Sequence, residues 1–346
     1  MVGKMKLPEM IQLESTTKCN LNCLSCSRRL LGTERLNKDL TIKNFKRIVK
    51  EIPSVKIIDL TGFGEFLLCE DIQRILEYGY SKRIKFRVIS NGTILGKEQI
   101  SLILKYFDSY YISFDSANKK NFEFLRKGTN YEKILNNITN LVRRKKEISS
   151  KTKIGLATSL SHLNYGEIPK IIKIAKELDV DSISLGVVEN WTIPGEENFI
   201  KNKLFVSKFK DIEKKVLKII KRYPETKINS PTKLEIFIRR NPYLKKVGIF
   251  VKKILKKSSS ERKFQILYSP QKMKKRACEW CFNSCFITFD GYITPCCLRK
   301  NPSTINFGNI FETPFKKIWN SKKIREFRRD IIKDNPKNKC CVNCPF

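Results

Sequence analysis

The sequence predicts an α/β protein in which a largely parallel sheet is wrapped by helices and followed by a small cysteine-rich domain. Three observations carry this. Residues 8–200 alternate strand-like and helix-like segments six times over, the pattern of a parallel sheet with covering helices. Unusual glycine and polar residues collect where the strand-like runs end. Eight of twelve cysteines (278, 281, 285, 296, 297, 340, 341 and 344) fall in the C-terminal residues 278–346.

The elements follow in order. MIQLEST (10–16) is strand-like, and the segment from Asp39 reads as an amphipathic helix with a polar start. VKIIDLTG (55–62) is a β-rich run, DIQRILEYGY (71–80) is helical, and IKFRVISNG (84–92) is a strand ending in a turn signal. A helix spans about 96–106, and SYYISFDS (109–116) is the fourth strand. Helices at roughly 118–126 and 131–147 come next, then strand TKIGLATSL (152–160), helix EIPKIIKIAKELDV and strand DSISLGVV (181–188). A partial (β/α)6 barrel and a doubly wound sheet both fit this order, and both place chemistry at the C-terminal strand ends. After the first strand stands Cys19-x3-Cys23-x2-Cys26. After the second stands Gly62-Phe63-Gly64-Glu65, and after the third Ser90-Asn91-Gly92. Ser113 and Asp115 sit near the end of the fourth strand, the fifth ends at Ser159, and the sixth carries Gly186 and ends near Glu189. Singly, each reads as a turn or a helix cap. Together they line one rim.

The cysteine loop is the most specific signal. Protein thiolates normally hold all four irons of an Fe4S4 cluster, so three leave one iron open for a ligand. A zinc knuckle or a disulfide is the competing reading. Zinc wants a fourth Cys or His close by, and none follows within the next forty residues.

Residues 11–190 resemble the radical S-adenosylmethionine (SAM) core domain in order and spacing. The resemblance implies a partial (β/α)6 TIM-like barrel in which Cys19, Cys23 and Cys26 hold a 4Fe-4S cluster whose open iron binds SAM. Gly62, Gly64 and Glu65 resemble the "GGE" motif that receives the SAM amino group. Ser90 and Asn91 resemble the "TNG" motif. Ser113 and Asp115 resemble the "SxD" motif near the SAM ribose and carboxylate. Arg126 resembles the arginine that pairs with that carboxylate, and Gly186 and Val187 match the region bordering adenine. Ser25 departs from the pattern, because many members carry an adenine-packing aromatic residue there. Leu24 or another apolar residue is the expected replacement for that contact. Arg28 fits a Cys-x-Arg sub-pattern.

The C-terminal segment resembles the SPASM/twitch extension, through Gly291-x4-Cys296, Gly308-Asn309-Ile310, Ile318-Trp319-Asn320-Ser321 and a final Cys341-x2-Cys344. The resemblance implies an auxiliary 4Fe-4S cluster held by Cys278, Cys296, Cys341 and Cys344. The hairpin ITFDGYITPCC is expected to bring residues 278 and 296 together. Cys281, Cys285, Cys297 and Cys340 stay open as alternative ligands or members of a second cluster. The same four cysteines would also satisfy a zinc ribbon. Cys69 reads as a buried thiol.

The expected domains are a core barrel over 1–200, a basic helical connector over 201–277 and a cluster domain over 278–346. The net charge of +36, from 70 Lys+Arg against 34 Asp+Glu, is spread through a Lys-, Ile- and Asn-rich chain. Compositional drift explains it better than nucleic-acid binding, for which no motif is visible. In 243–257, apolar residues fall on one helical face and six lysines on the other. That pattern suits a solvated core helix, peripheral membrane contact or an anionic substrate. The N-terminus carries no signal-peptide run and no stretch reaches a membrane span. A cytoplasmic setting follows, in which cysteines read as metal ligands rather than disulfides. His162 is the only histidine, and an ordinary loop role suits it.

The resemblance implies reductive cleavage of SAM to a 5′-deoxyadenosyl radical and hydrogen abstraction from a substrate C–H. A two-electron oxidation, dehydrogenation or cross-linking, follows with help from the auxiliary cluster. Glu189 is the candidate base by position. The expected partners are a small-molecule or peptide substrate and an electron donor such as flavodoxin or ferredoxin. No recognition domain is seen upstream of residue 9, which leans away from a peptide. A molybdopterin-type cyclase and a non-catalytic basic iron–sulfur or zinc protein binding RNA or membrane are the rival readings.

Overall fold

The computed structural model describes residues 5–161, 163–187, 228–229, 278, 280–333 and 341. Strands β1 (Met10–Leu13), β2 (Ile57–Asp59), β3 (Lys85–Ser90), β4 (Phe107–Ser113), β5 (Lys153–Leu160) and β6 (Ser182–Val187) lie side by side in chain order. All five pairings between them are parallel. The short β7 (Ile228–Asn229) extends the β6 edge. A doubly wound sheet would reverse strand order at a switch point. No reversal occurs here, so the winding is that of a partial barrel.

Helices α1 (Ile42–Glu51), α2 (Ile72–Ser81), α3 (Lys97–Tyr106), α4 (Lys119–Leu125), α5 (Tyr131–Glu147) and α6 (Ile168–Glu177) fill the crossovers. Side-chain caps fix several starts. Thr41, Asn118 and Asn130 each accept a hydrogen bond from the backbone N–H three residues on. The polar start expected at Asp39 is used differently. Its carboxylate accepts from the Thr16 hydroxyl and the Lys18 ammonium, both at 2.6 Å, and so fastens the chain entering the cysteine loop.

Strand alternation sorts the sheet into two faces. Ile11, Leu13, Ile58, Leu60, Phe86, Val88, Tyr110, Ile112, Ile154, Leu156, Ile183 and Leu185 are buried in one continuous core. The intervening positions are mostly polar or small: Gln12, Asp59, Arg87, Tyr111, Ser113, Gly155, Ala157, Ser159, Ser182, Ser184 and Gly186. Parallel sheets covered on both faces are near-continuously apolar. Here only one face is, and on the other Ile89 remains 42% exposed. The second face therefore lines a polar space.

The C-terminal segment joins this sheet. Strand β8 (Phe286–Ile287) runs parallel to β1, pairing Gln12 with Phe286 and Leu13 with Ile287, and β9 (Ile293–Thr294) returns antiparallel to it. Gly291 turns the hairpin at φ +89°. Around it stand α7 (Trp280–Asn283), α8 (Phe315–Trp319) and α9 (Lys322–Ile332). Trp319 is 1% exposed, stacks on Phe315 at 5.6 Å, and donates its indole N–H to the Lys6 carbonyl at 2.9 Å. The chain entering β1 is thus tied to the C-terminal helices. Among the described residues, no helix is long and apolar enough to cross a membrane.

Because β8 shares the core with β1, Ile287→Ala should cost about 2–5 kcal/mol. Chemical denaturation followed by hydrogen exchange should show β1 amides losing protection together with those of the hairpin.

Candidate active site

The cysteine loop leaves β1 and lies against the chain that follows α4. Asn22 N–H donates to the Lys127 carbonyl at 2.9 Å and Leu24 N–H to the Leu125 carbonyl at 2.8 Å. Cys19, Cys23 and Cys26 are half-buried. Cys26 Sγ caps the following 3-10 turn by accepting from Arg28 N–H at 3.4 Å. Burial pushes the Cys23 thiol up to about 11, opposed chiefly by the Arg126 charge, with Cys26, Asp115 and Cys19 raising it further. Burial likewise raises Cys19. Among the described residues, no three His, Cys, Asp or Glu side chains converge on a single-ion site. Cys26 acts on both Cys19 and Cys23, so the three loop thiols share one electrostatic neighbourhood.

The glycine motif packs on the entry to this loop. Gly64 N–H donates to the Thr16 carbonyl at 3.1 Å and Glu65 N–H to the Lys18 carbonyl at 2.8 Å. A Cβ at Gly64 would fall well inside contact distance of both carbonyl oxygens. Glu65 is 3% exposed and spends both carboxylate oxygens inside the protein. One accepts from the Ser90 hydroxyl at 2.8 Å and the other from Asn91 N–H at 2.7 Å. Burial raises its carboxyl, and those two donors oppose the rise. Asn91 then donates to the Asn20 side-chain oxygen at 2.9 Å, with its Nδ2 4.0 Å from Cys19 Sγ. Gly64, Glu65, Ser90 and Asn91 therefore form one bonded unit with the cysteine loop, while Gly62 packs against Glu14.

Asp115 and Arg126 form a second unit. Arg126 Nη1 donates to Asp115 at 2.7 Å, and the other Asp115 oxygen accepts from Ser159 N–H at 2.7 Å. Burial alone would lower the Arg126 guanidinium, but Cys23, Asp115 and Cys26 together hold it above its usual range. Among the described residues its buried Nε has no hydrogen-bond partner. Ser113 and Gly186 occupy the inner sheet face, and among the described residues a Cβ at Gly186 would meet nothing within 4 Å. An orphaned cationic donor beside the loop, and open space at Gly186, fit an anionic ligand group and a flat ring beside a cluster.

In the C-terminal hairpin, burial raises Cys296 well above its ordinary value, and the neighbouring thiols of Cys297 and Cys278 raise it further. Cys278 and Cys341 both pack on the small apolar cluster of Cys281, Phe282 and Ile331. Cys281 and Cys285 are 3% and 1% exposed. Cys281 donates to the Cys278 carbonyl at 3.7 Å, and Arg328 is the charged neighbour that both buried thiols share. Glu189, His162, Cys340, Cys344, the side chain of Val187 and the 243–257 segment lie outside the described residues.

Sequence reasoning missed a buried charge cluster at the end of β1. Glu14 is fully buried, accepts from Phe63 N–H at 3.3 Å, and stands 3.9 Å from Arg35. Arg35 pairs with both oxygens of Asp290 at 2.6 and 3.0 Å and lies 4.9 Å over the Phe289 ring. Lys300 donates to the Gly62 carbonyl at 3.3 Å and sits 4.6 Å over Phe63. The available signal was the Gln12/Glu14 alternation, which puts a carboxylate on the strand's inner face.

Comparison with known proteins fits this geometry. The profile of the radical SAM superfamily matches residues 13–152, and that of an iron-sulfur cluster-binding domain, SPASM, matches residues 278–345. The chain is a radical SAM enzyme with a C-terminal SPASM domain, and its cofactors are SAM, a SAM-binding 4Fe-4S cluster and auxiliary iron–sulfur ligation. It is 28% identical over 177 residues to an S-adenosylmethionine-dependent nucleotide dehydratase of Selenomonas ruminantium, spanning 49% of this chain and 62% of that protein. It is 24% identical over 348 residues to the AdoMet-dependent heme synthase of Methanosarcina barkeri, spanning 99% and 90%. In fold it matches native anSMEcpe with bound AdoMet and Kp18Cys peptide, with a TM-score of 0.64 at 16% identity over 93% of this chain and 83% of that one.

Burial lifts the Glu14 carboxyl from 4.5 to about 7, with Arg35, the Phe63 N–H and Lys300 opposing the rise. A carboxyl raised on folding binds its proton more tightly in the native state. Stability from this group is therefore fullest below pH 4.5 and declines as pH rises toward about 7. Glu14→Gln should remove that decline, and denaturation midpoints taken from pH 5 to pH 8 should come out flatter than wild type.

Proposed function

We propose that this enzyme carries out a two-electron oxidation of a polar substrate, either a dehydrogenation or a cross-link. The observation that carries the reading is the three-thiol loop with Arg126 beside it, whose buried Nε has no partner among the described residues. When bound, the reduced core cluster with SAM supplies hydrogen-atom abstraction, and the auxiliary cluster supplies an acceptor for the second electron. We assign Cys19, Cys23 and Cys26 to the core cluster and Cys278, Cys296, Cys341 and Cys344 to the auxiliary one.

The remaining roles belong to the chain's own side chains. Arg126, oriented by Asp115, holds the SAM carboxylate. Because Glu65 is committed to Ser90 and Asn91, it positions the glycine motif, which would receive the SAM amino group. Gly186 and Val187 border the adenine, and Ser113 faces the same space. Glu189 takes the substrate proton. The polar inner face from Gln12 to Ser184 suits a hydroxyl- or amide-bearing substrate. A peptide is the second reading, supported by the fold shared with an enzyme that holds both AdoMet and a peptide. A flavodoxin or ferredoxin supplies the electron in a cytoplasmic setting.

Arg126→Ala tests the core of this reading. Loss of a charged hydrogen bond should weaken SAM binding about 10- to 100-fold while core iron stays in place. Equilibrium dialysis with SAM, and 5′-deoxyadenosine formation under dithionite, are the measurements. Unchanged SAM affinity would remove Arg126 from the site.

A further inference from the structure

The hairpin that leads to Cys296 grips the SAM site at two points. Asp290, at its turn, holds Arg35 through two short hydrogen bonds, and the Arg35 carbonyl accepts from the Thr17 hydroxyl at 2.7 Å. Thr17 lies two residues before Cys19. Lys300, four residues after Cys296, reaches back to the Gly62 carbonyl and lies over Phe63. Between the grips is Glu14, against whose stem a Cβ at Gly62 would pack at 3.2 Å. Glu14 is buried among charges drawn from both sides: Arg35 from the core, Lys300 from the C-terminal segment, and Asp290 through Arg35.

These contacts are placed where they bear on function. The glycine motif is fixed by the cysteine-loop entry on one side and by Lys300 on the other. Among the described residues, Lys300 forms no ion pair within 4 Å, and the one hydrogen bond recorded for its ammonium goes to that motif. An ammonium half-buried over an aromatic ring is directed there by the hairpin, not by local helix geometry. A cation tuned only for surface solubility would have no reason to reach a carbonyl 238 residues away.

We infer that Lys300 and Asp290 are positioning residues through which the auxiliary-cluster hairpin sets the affinity of the core site for SAM. The inference rests on the SAM-binding reading above. SAM binding and auxiliary-cluster assembly are then linked, and by reciprocity bound SAM favours the assembled hairpin.

The experiment uses the full-length, anaerobically reconstituted protein. SAM affinity is measured by equilibrium dialysis, and the core cluster is followed by the change in its reduced EPR spectrum on adding SAM. The variants are Lys300→Met, Lys300→Gln, Asp290→Asn, Cys296→Ala and the Lys300→Met/Cys296→Ala pair. Iron counts confirm that each keeps its core cluster. Lys300→Met should weaken SAM binding about fivefold, the worth of one hydrogen bond. Lys300→Gln, which keeps a donor, should recover much of it, and Asp290→Asn should fall between. Cys296→Ala should weaken binding at least as much, and the double variant should be no worse than the weaker single. Unchanged or tighter SAM binding in Lys300→Met would overturn the inference, as would full additivity in the double variant. Wild type that binds no SAM would defeat the SAM-binding reading itself, and the inference with it.

Discussion

Gly64 carries no side chain, and this lets the second strand's loop lay its backbone directly against Thr16–Lys18. Two backbone hydrogen bonds result, and any Cβ would collide with both acceptor carbonyls. From that contact the site is built outward. Glu65, next in sequence, is carried into the protein, where Ser90 and Asn91 satisfy both its oxygens. Asn91 in turn reaches Asn20 and the edge of Cys19. A buried carboxylate is tolerable only when such donors surround it, so the third strand must end where it does. Strand register, glycine placement and cysteine loop are thus one constraint.

The same economy recurs on the other side of the loop. Asp115 holds Arg126 and the end of β5, while Arg126 feels the charges of Cys23 and Cys26 and its Nε has no partner among the described residues. Fixed charges around half-buried thiols set the electrostatics before any cofactor arrives. Preorganised groups of this kind reduce the reorganisation that binding or reaction would otherwise require. The two sheet faces contrast, one apolar under helices and one mostly polar, and the site residues gather on the polar side.

Much of this was legible in the sequence. The six strand–helix units were readable because each strand alternates and each helix shows an apolar stripe; α5 spans Tyr131–Glu147 as expected. Strand and helix periodicity left a barrel and a doubly wound sheet open, because strand order is a long-range property that no local pattern encodes; the motif resemblance pointed to the barrel, and the strand order bears it out. Glu65 was recognisable from its place after Gly64, but its partners were not, because Ser90 and Asn91 are 25 and 26 residues away. Glu14, Arg35, Asp290 and Lys300 gave almost no signal. A lone carboxylate at a strand end and a lysine in a basic chain acquire meaning only when β8 is laid beside β1. Asp39 misled for a similar reason, since its tertiary partners outcompeted the helix start that its position suggested.

In the proposed enzyme two separate cysteine sets hold two independent clusters, one of them open to SAM. Iron and sulfide per chain after anaerobic reconstitution test it most directly, for wild type and for the Cys19/Cys23/Cys26→Ala triple variant. The account predicts about 8 Fe falling to about 4. About 4 Fe with one equivalent of zinc in wild type would contradict it, making the C-terminal site structural and removing the second electron acceptor.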